Sequence, residues 1–333
     1  MRQPSIDSLK CLCMFLIIFL HCTDERNNWL VPLFRCAVPC FFMISGFLLY
    51  YSSEQTHKIR IRKNLLRVGK LLLYSLLLYC IFEESIQYLT TNEWICLSFK
   101  DSAKFLIFNK TPFGYHLWYI AAYLYVLGII YSLSTPYFMR IITICIPLLL
   151  TLNIAFGKYS LLTLHHEVGT FYFRNFLFTG LPFFLIGRWI AIHRNRINSI
   201  KRKTLWGSFI VLILASDYEY LVLQYHKLGN LGDLYISTIP LAIVLFLLFV
   251  THKNKYSHSF LQQIGEKYSL SVYILHILIA SLIIHLSPSS FPYFWKGYPF
   301  AFSVAIISLS STYLGYKILS FSKKYFYTCK SKL

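Results

Sequence analysis

Long apolar segments recur along the 333-residue chain, separated by shorter polar stretches. A run of about 20 apolar residues can cross the hydrocarbon core of a bilayer as a helix, because an α-helix rises about 1.5 Å per residue. The pattern predicts ten such segments, at approximately residues 6–23, 31–51, 64–83, 116–133, 139–156, 171–191, 204–223, 233–251, 268–287 and 298–319. We therefore expect an all-α integral membrane protein with about ten transmembrane helices. They should form one domain over residues 1–333, with no separate soluble domain.

Composition excludes an ordinary water-soluble protein. Hydrophobic residues make up 56% of the chain and charged residues only 14%, with a mean hydropathy of +0.55. A soluble domain of this size has too little interior to hide so much apolar surface. The first apolar segment is not followed by a small-x-small cleavage site, so we expect it to remain as a helix rather than to be removed as a signal peptide.

The net charge of +19 follows the membrane topology and does not indicate nucleic-acid binding. With the N-terminus inside, the cytoplasmic segments hold 23 of the 32 basic and three of the 13 acidic residues, a charge of +20. The opposite side holds nine basic and ten acidic residues, a charge of −1. This asymmetry is typical of the positive-inside rule, so both termini are predicted to be cytoplasmic.

The nine cysteines and the histidines do not predict a disulfide framework or a metal site. Most cysteines lie within apolar runs, where a free thiol behaves as a small hydrophobe. His165 and His166 are adjacent in "TLHHEVG" with no further ligand indicated, and adjacent side chains rarely face one ion together. We expect no bound metal.

The first segment, "SIDSLKCLCMFLIIFLHC", carries ionisable groups at both ends of an apolar helix. Lys10 and His21 are eleven residues apart, so they share one helix face at a separation of roughly 16 Å. Asp7 lies one turn before Lys10, within pairing distance. An ionisable group inside a membrane is costly and therefore a functional candidate. The alternatives are a lysine anchored at the membrane surface and a histidine bonded to a neighbouring helix.

Five segments together resemble the membrane acyltransferase type 3 family. The first is "RQPSIDSLKCLCMFLIIFLH", where the family has a basic residue, ten intervening positions and a histidine. Arginine is the usual basic residue there, and this chain has Lys10. The other four are "VPCFFMISGFLLYY", "HLWYIAAYLYVLGIIY", "LPFFLIGRWIA" and "KYSLSVYILH", in the expected order across nearly the whole chain.

The resemblance implies transfer of an acetyl or other short acyl group from cytosolic acyl-CoA to a hydroxyl of an envelope glycan or lipid-linked sugar. Acyl-CoA is then a donor substrate, and no permanently bound cofactor is expected.

The nucleotide of acyl-CoA carries negatively charged phosphates and needs cations to bind it. Arginine binds phosphate through a planar fork, and lysine binds it as a point charge. The expected donor-binding residues are Lys10 at the entrance and Arg60, Arg62, Lys63, Arg67 and Lys70 in "HKIRIRKNLLRVGK". The family often has a second arginine three residues before Arg67, where this chain has Asn64. Plain topology signalling or anionic-lipid contact is an alternative for each cation.

Two histidines are the candidate catalytic residues. His21 suits a general base, because imidazole titrates near neutral pH and burial keeps it neutral. Ser269, Tyr273 and His276 share a face of the ninth predicted helix. His276 is expected to orient the acceptor or to donate to the oxyanion, with Ser269 and Tyr273 lining the same cavity. Interhelical hydrogen bonding is the alternative for all three residues.

Four further residues are predicted to bind the acceptor at the outer face. Glu83 ends the third predicted helix, where it is expected to bind acceptor hydroxyls, to pair with Arg35 or to be solvated. His116, Trp118 and Tyr119 begin the fourth, where aromatic faces suit stacking on a sugar. An aromatic belt facing the lipid interface is the alternative for these three.

The leading prediction is therefore a membrane O-acyltransferase in the bacterial cytoplasmic membrane. Its expected partners are acyl-CoA, a glycan or lipid-linked sugar, and the lipid bilayer, with no nucleic acid. An exporter of a glycan or lipid-linked sugar is the alternative, because it would use a similar polar cavity without a thioester. A binding or sensing module is a third alternative. The choice of acceptor is expected to depend on the outer loops, chiefly residues 86–115 and 157–170.

Overall fold

The structure is a computed structural model that describes residues 3–24, 28–51, 53–133, 135–228, 234–251, 259–286 and 297–330. All regular structure within these residues is helical, with no β-strand. The α-helices are α1 (Pro4–Cys22), α2 (Val31–Phe34), α3 (Ala37–Leu49), α4 (Glu54–Thr91), α5 (Phe99–Phe108), α6 (Trp118–Ser132), α7 (Pro136–Ile144), α8 (Ile146–Phe156), α9 (Ser160–Thr163), α10 (Leu181–Ile192), α11 (Arg194–Ile197), α12 (Arg202–Tyr225), α13 (Thr238–Val250), α14 (Phe260–Lys267), α15 (Ser269–Leu286) and α16 (Tyr298–Lys330). The predicted all-α class is confirmed for the described residues.

The packing divides the chain into two compact units. Unit 1 comprises residues 1–25 and 255–333, and unit 2 comprises residues 26–254. Unit 1 therefore contains α1, α14, α15 and α16, and unit 2 contains α2 to α13. The expectation of a single domain stays a prediction.

Several described helices are long and apolar enough to cross a membrane, which identifies a multi-pass membrane protein. Six helical segments meet this description, and a seventh is added if α7 and α8 form one span with a bend of 42°. Pro147 near the start of α8 lacks the N–H that would continue the hydrogen-bond ladder, which explains a break at this place. The segments Phe176–Ile192 and Thr238–Val250 are apolar but shorter. The predicted ten spans and cytoplasmic termini stay predictions.

The core of unit 1 lies between α1, α14, α15 and α16. Apolar side chains at helical spacing on α1 pack with apolar side chains from the other three helices. The buried members of this core are Cys11, Met14, Ile18, Cys22, Ile264, Val272, Ile279, Ala280, Phe300, Ala301, Val304 and Ala305. Helix α14 approaches α1 so closely that a Cβ on Gly265 would lie 1.7 Å from the carbonyl oxygen of Asp7.

In unit 2, α3 and α10 cross through two glycines. A Cβ on Gly46 would lie 1.9 Å from the carbonyl oxygen of Phe184, and one on Gly187 would lie 2.1 Å from that of Met43. Backbone therefore meets backbone on both sides of the crossing. Small residues permit this close approach in membrane helix pairs, where packing rather than hydrophobicity drives association.

Helix α4 extends well beyond the apolar segment predicted at 64–83. It runs for 38 residues, or about 57 Å, so its polar ends continue past the hydrocarbon thickness. The segment 86–115, expected to be a loop, contains the end of α4 and the ten-residue helix α5. Hydropathy located the apolar middle of α4 but not its ends.

Candidate active site

The two candidate histidines come together in unit 1. His21 lies in the last turn of α1 and is half-buried, whereas His276 on α15 is fully buried. Their ring centroids are 5.4 Å apart, with the ring planes tilted by 40°. The sequence predicted both residues separately, and the structure brings them into direct contact.

The hydrogen bonding of His276 defines its tautomer. Its Nδ1 lies 2.6 Å from the carbonyl oxygen of Tyr273. A carbonyl oxygen only accepts hydrogen bonds, so Nδ1 must carry the hydrogen and donate it. In the neutral ring, Nε2 is then a proton acceptor. This favours orientation of an acceptor hydroxyl over donation to an oxyanion, the two roles predicted for His276.

The cation on α1 forms the predicted ion pair. Lys10 Nζ lies 2.9 Å from Asp7 Oδ1, one turn away on the same helix. The Asp7 side chain is 6% exposed and that of Lys10 is 26% exposed. Because α14 contacts the Asp7 backbone at Gly265, this helix also holds the region around the ion pair in place.

The other two predicted residues of α15, Ser269 and Tyr273, are also buried. The Tyr273 ring centroid is 5.8 Å from that of His276, so this tyrosine lies beside the candidate site. The Ser269 hydroxyl donates to the carbonyl oxygen of Gly265 at 2.6 Å. Ser269 therefore connects α15 to α14, in keeping with its alternative structural role.

The predicted phosphate-binding cations lie in unit 2 on one end of α4. Arg60, Arg62, Lys63, Arg67 and Lys70 are all exposed. Arg60 stacks on the Tyr51 ring, with its Cζ 3.8 Å from the ring centroid. Arg67 lies close enough to Tyr123 to act on it electrostatically, and the Tyr123 hydroxyl bonds to Ser45. Of this set, Arg67 is the cation whose charge acts on the Tyr123 hydroxyl.

A further cation in unit 2 was missed as an individual candidate. Arg188, on α10 directly after Gly187, is half-buried and lies 5.5 Å from the Tyr50 ring centroid. Its buried Nε has no hydrogen-bond partner within the described part of the chain. The motif "LPFFLIGRWIA" contains Arg188, but neither hydropathy nor spacing separates it from the nearby surface cations.

The predicted acceptor residues Glu83 and His116 lie close together in unit 2. Glu83 Oε1 accepts a hydrogen bond of 2.9 Å from the Gly114 N–H, two residues before His116. His116 is buried, and its ring meets that of Tyr79 edge-on at 4.9 Å. The Glu83 carboxylate thus holds the turn in which Gly114 adopts a φ of +61°. It is half-buried rather than fully solvated.

Trp118 and Tyr119 are also buried. Arg174 lies 5.8 Å from the Trp118 ring centroid, and Tyr119 packs against Phe42 at 4.8 Å. Because His116, Trp118 and Tyr119 are all buried, the alternative of a lipid-facing aromatic belt is wrong for them. Their interior position leaves the acceptor-binding role as a prediction.

Three asparagines that sequence reasoning missed organise the backbone around this region. Asn109 accepts from the Phe176 N–H at 2.8 Å, and Asn175 accepts from the N–H groups of Leu177 and Phe178. Asn153 Nδ2 donates to the carbonyl oxygens of Phe173 and Phe178 and to the Thr179 hydroxyl. These bonds surround a short π-helix, Phe176–Gly180, whose backbone differs from that of an α-helix. No periodic signal marks isolated asparagines of this kind.

Within the residues that the structure describes, no group of three or more His, Cys, Asp or Glu side chains is placed to hold a metal ion. The pair His165–His166 therefore lacks a third ligand of these types there.

Comparison with known proteins agrees with the resemblance. The family model for an acyltransferase domain matches residues 3–317. The chain belongs to this acyltransferase family. An "Amino-acid racemase" of Enterococcus faecalis is 26% identical over 318 residues, which cover 86% of this chain and 42% of that protein. This chain thus spans about two fifths of the length of that relative. No solved structure matches.

Proposed function

We propose that this protein is a membrane O-acyltransferase that moves an acetyl or similar short acyl group from cytosolic acyl-CoA to a hydroxyl of an envelope glycan or lipid-linked sugar. The bacterial cytoplasmic membrane is its proposed location. The observation that carries the proposal is the contact between His21 and His276 in a chain of the acyltransferase family.

His21 is the proposed general base. The acceptor hydroxyl oxygen attacks the thioester carbonyl carbon while His21 takes the hydroxyl proton. A new C–O bond forms, the tetrahedral intermediate collapses, and the C–S bond breaks. The imidazolium then returns its proton to the departing thiolate, so the histidine is regenerated. A positioned histidine base contributes about 10²- to 10⁴-fold to such a step.

His276 is proposed to orient the acceptor. With a sugar, Nε2 accepts from a hydroxyl next to the attacking one, whose single proton goes to His21, and with water it accepts from the second O–H. The Nδ1–H of His276 is directed at the Tyr273 carbonyl oxygen, which leaves Nε2 as the acceptor in the neutral ring. Burial of the whole side chain restricts the ring to this orientation. Tyr273 supports it through its carbonyl oxygen and through ring contact.

The cations are proposed to bind the donor nucleotide. Lys10 is held by Asp7, roughly 16 Å along α1 from His21, a distance suited to an extended pantetheine arm. Arg67 is the proposed main phosphate ligand on α4, because it is exposed and its charge acts on the Tyr123 hydroxyl. Glu83, His116, Trp118 and Tyr119 are the proposed acceptor-binding residues.

The test is acetyl-CoA binding and slow thioester hydrolysis by the detergent-purified full chain. We expect wild type to bind saturably and to hydrolyse the thioester with water as acceptor. His21→Ala should bind acetyl-CoA normally but hydrolyse it at least about 100-fold more slowly. His285→Ala is the matched control, because His285 is an exposed histidine of the same unit.

Two results would contradict the proposal. If folded His21→Ala hydrolysed the thioester at the wild-type rate, His21 would not be the base. Absence of acetyl-CoA binding by folded wild type would remove the donor, and export of a glycan or lipid-linked sugar would then be the better explanation.

A further inference from the structure

Helix α5 has two different faces. The inner face packs on unit 2, where the Phe108 ring lies 5.4 Å from Phe171 and 5.1 Å from Tyr172. The Tyr125 hydroxyl donates to the Leu106 carbonyl oxygen at 3.0 Å and so ties the helix to α6. At the end of α5, Asn109 is fully buried and bonded to the Phe176 N–H. The helix is therefore a fixed part of unit 2.

The other face of α5 is apolar and uncovered. Phe99 is 89% exposed, Leu106 66% and Ile107 60%. At 100° per residue these three side chains and Ala103 lie within one arc of about 100°. Trp94, in the segment leading into α5, is also exposed. Large side chains grouped in this way would be costly to leave in water.

Charged groups exclude the membrane interior as the location of this face. The ten residues of α5 extend only about 15 Å, half of a hydrocarbon core. Lys100, Asp101 and Lys104 lie on the helix and Lys110 follows it. Ionised side chains are expensive in the hydrocarbon region, whereas the headgroup boundary accommodates an apolar face and flanking lysines together.

The lysines give this segment a net positive charge. Residues 99–110 contain three lysines and one aspartate. The Asp101 carboxylate is engaged at the helix start, where it accepts from the Ser98 hydroxyl at 2.6 Å. Lys104 and Lys110 each have Nζ within 6 Å of the Phe171 ring centroid. Because Phe171 packs on Phe108, these two cations lie toward the packed side of α5, whereas Lys100 lies about 20° from Ile107 around the helix, at the edge of the apolar face.

We propose that α5 is an interfacial anchor that lies in the headgroup layer of an anionic phospholipid leaflet. Phe99, Leu106 and Ile107 enter the acyl-chain boundary, and Lys100, Lys104 and Lys110 contact the phosphates. Only seven residues separate the end of α4 from the start of α5, so in this proposal the chain turns there from a spanning helix onto the membrane surface. The anchor does not depend on the acyl-transfer proposal.

The test uses photo-crosslinking in the full chain. Leu106 is replaced by p-benzoylphenylalanine, and the protein is reconstituted in nanodiscs of equal phosphatidylcholine and phosphatidylglycerol. After irradiation, intact mass should show phospholipid adducts, with phosphatidylglycerol enriched roughly two- to fivefold. The same replacement at Ile107 gives a second probe of this face. The matched control is replacement of Phe108, on the packed face, which should give no lipid adduct.

A charge variant separates the two parts of the proposal. The triple variant Lys100→Gln, Lys104→Gln and Lys110→Gln should keep the lipid adduct at position 106 but bring the two lipids to nearly equal yield. Absence of lipid adducts at both 106 and 107, or adducts to a second copy of the chain instead, would overturn the anchor. Equal labelling by both lipids in the chain with all lysines intact would overturn the anionic preference.

Discussion

The histidine pair of unit 1 and the surroundings of the π-helix in unit 2 use polar groups of different kinds. Unit 1 brings two imidazoles into mutual contact, with an ion pair on the same helix as His21. Around its π-helix, unit 2 instead encloses the amides of Asn109, Asn153 and Asn175. An imidazole exchanges protons near neutral pH, whereas an amide side chain does not titrate and only donates and accepts.

This difference separates groups that can transfer a proton from groups that stabilise the backbone. Each of these three amides in unit 2 satisfies backbone groups that an irregular helix leaves without their usual partners. The carbonyl bond of His276 in unit 1 has another result, because it fixes the tautomer of a titratable ring. We therefore expect substitutions at the histidines to change turnover and substitutions at the asparagines to change stability.

The largest effect is expected for Gly265→Ala in unit 1. The new Cβ would lie 1.7 Å from the Asp7 carbonyl oxygen, so α14 must move away from α1. Forced overpacking of this kind costs about 3 kcal/mol, and the shift also displaces the Asp7–Lys10 pair. Thermal unfolding should show the loss, and acetyl-CoA binding should weaken. Gly315→Ala is the control, since nothing lies within 4 Å of its added Cβ. Equal melting temperatures for the two variants would refute the close contact.

His276→Asn is expected to lower acetyl-CoA hydrolysis by about 100-fold. The asparagine amide can keep the donor to the Tyr273 carbonyl oxygen, but it supplies no counterpart to Nε2. The dissociation constant for acetyl-CoA should stay unchanged, since the change affects orientation of the attacking group. If folded His276→Asn hydrolyses as fast as wild type, His276 belongs with the structural amides and the contrast between the units fails.

Asn153→Ala should show the opposite behaviour. It leaves the carbonyl oxygens of Phe173 and Phe178 and the Thr179 hydroxyl without the Asn153 donor, at a cost of about 1–3 kcal/mol. The melting temperature should fall, while hydrolysis per folded molecule stays within about twofold. Asn195→Ala, at an exposed position, should change neither. A tenfold loss of turnover at an unchanged melting temperature would instead give Asn153 a role in the reaction.

The smallest effect concerns the start of α5. Hydrogen bonds from Ser98 lower the pKa of the Asp101 carboxyl below its ordinary value of 3.8. A lowered pKa stabilises the folded state above the unfolded value, and this contribution is lost as pH falls through the folded one. Amide protection over residues 99–108, corrected for intrinsic exchange, should therefore be constant above about pH 4 and decrease below it. Asp101→Asn should remove this decrease, and a decrease of equal size in that variant would assign it to another group.

Sequence patterns were informative about the apolar parts of helices and less so about their ends. Alternation of apolar and charged segments located α1, α12 and α15 within a few residues, together with the start of α16 but not its end. It missed the length of α4, because polar residues at a helix end lower hydropathy without stopping the helix. It also missed α5, whose ten residues include lysines and an aspartate and lack a long apolar run.

The candidate site was predictable residue by residue but not as an arrangement. His21 and His276 were identified because titratable groups in apolar segments are rare and costly. Their contact depends on how α1 and α15 pack, which two residues separated by 255 positions do not reveal. Sequence reasoning missed Asn109, Asn153 and Asn175. Their partners are mostly backbone atoms around an irregular helix, and no residue pattern in the sequence predicts that backbone geometry.

The crossing at Gly46 and Gly187 has a consequence for motion. Backbone atoms of α3 and α10 already touch, so neither helix has room to slide or roll without separating from the other. The two helices should therefore move as one rigid body during a turnover cycle, and Arg188 should move with them. Any hinge movement within unit 2 should then occur outside this helix pair, and the 42° break between α7 and α8 is a candidate hinge.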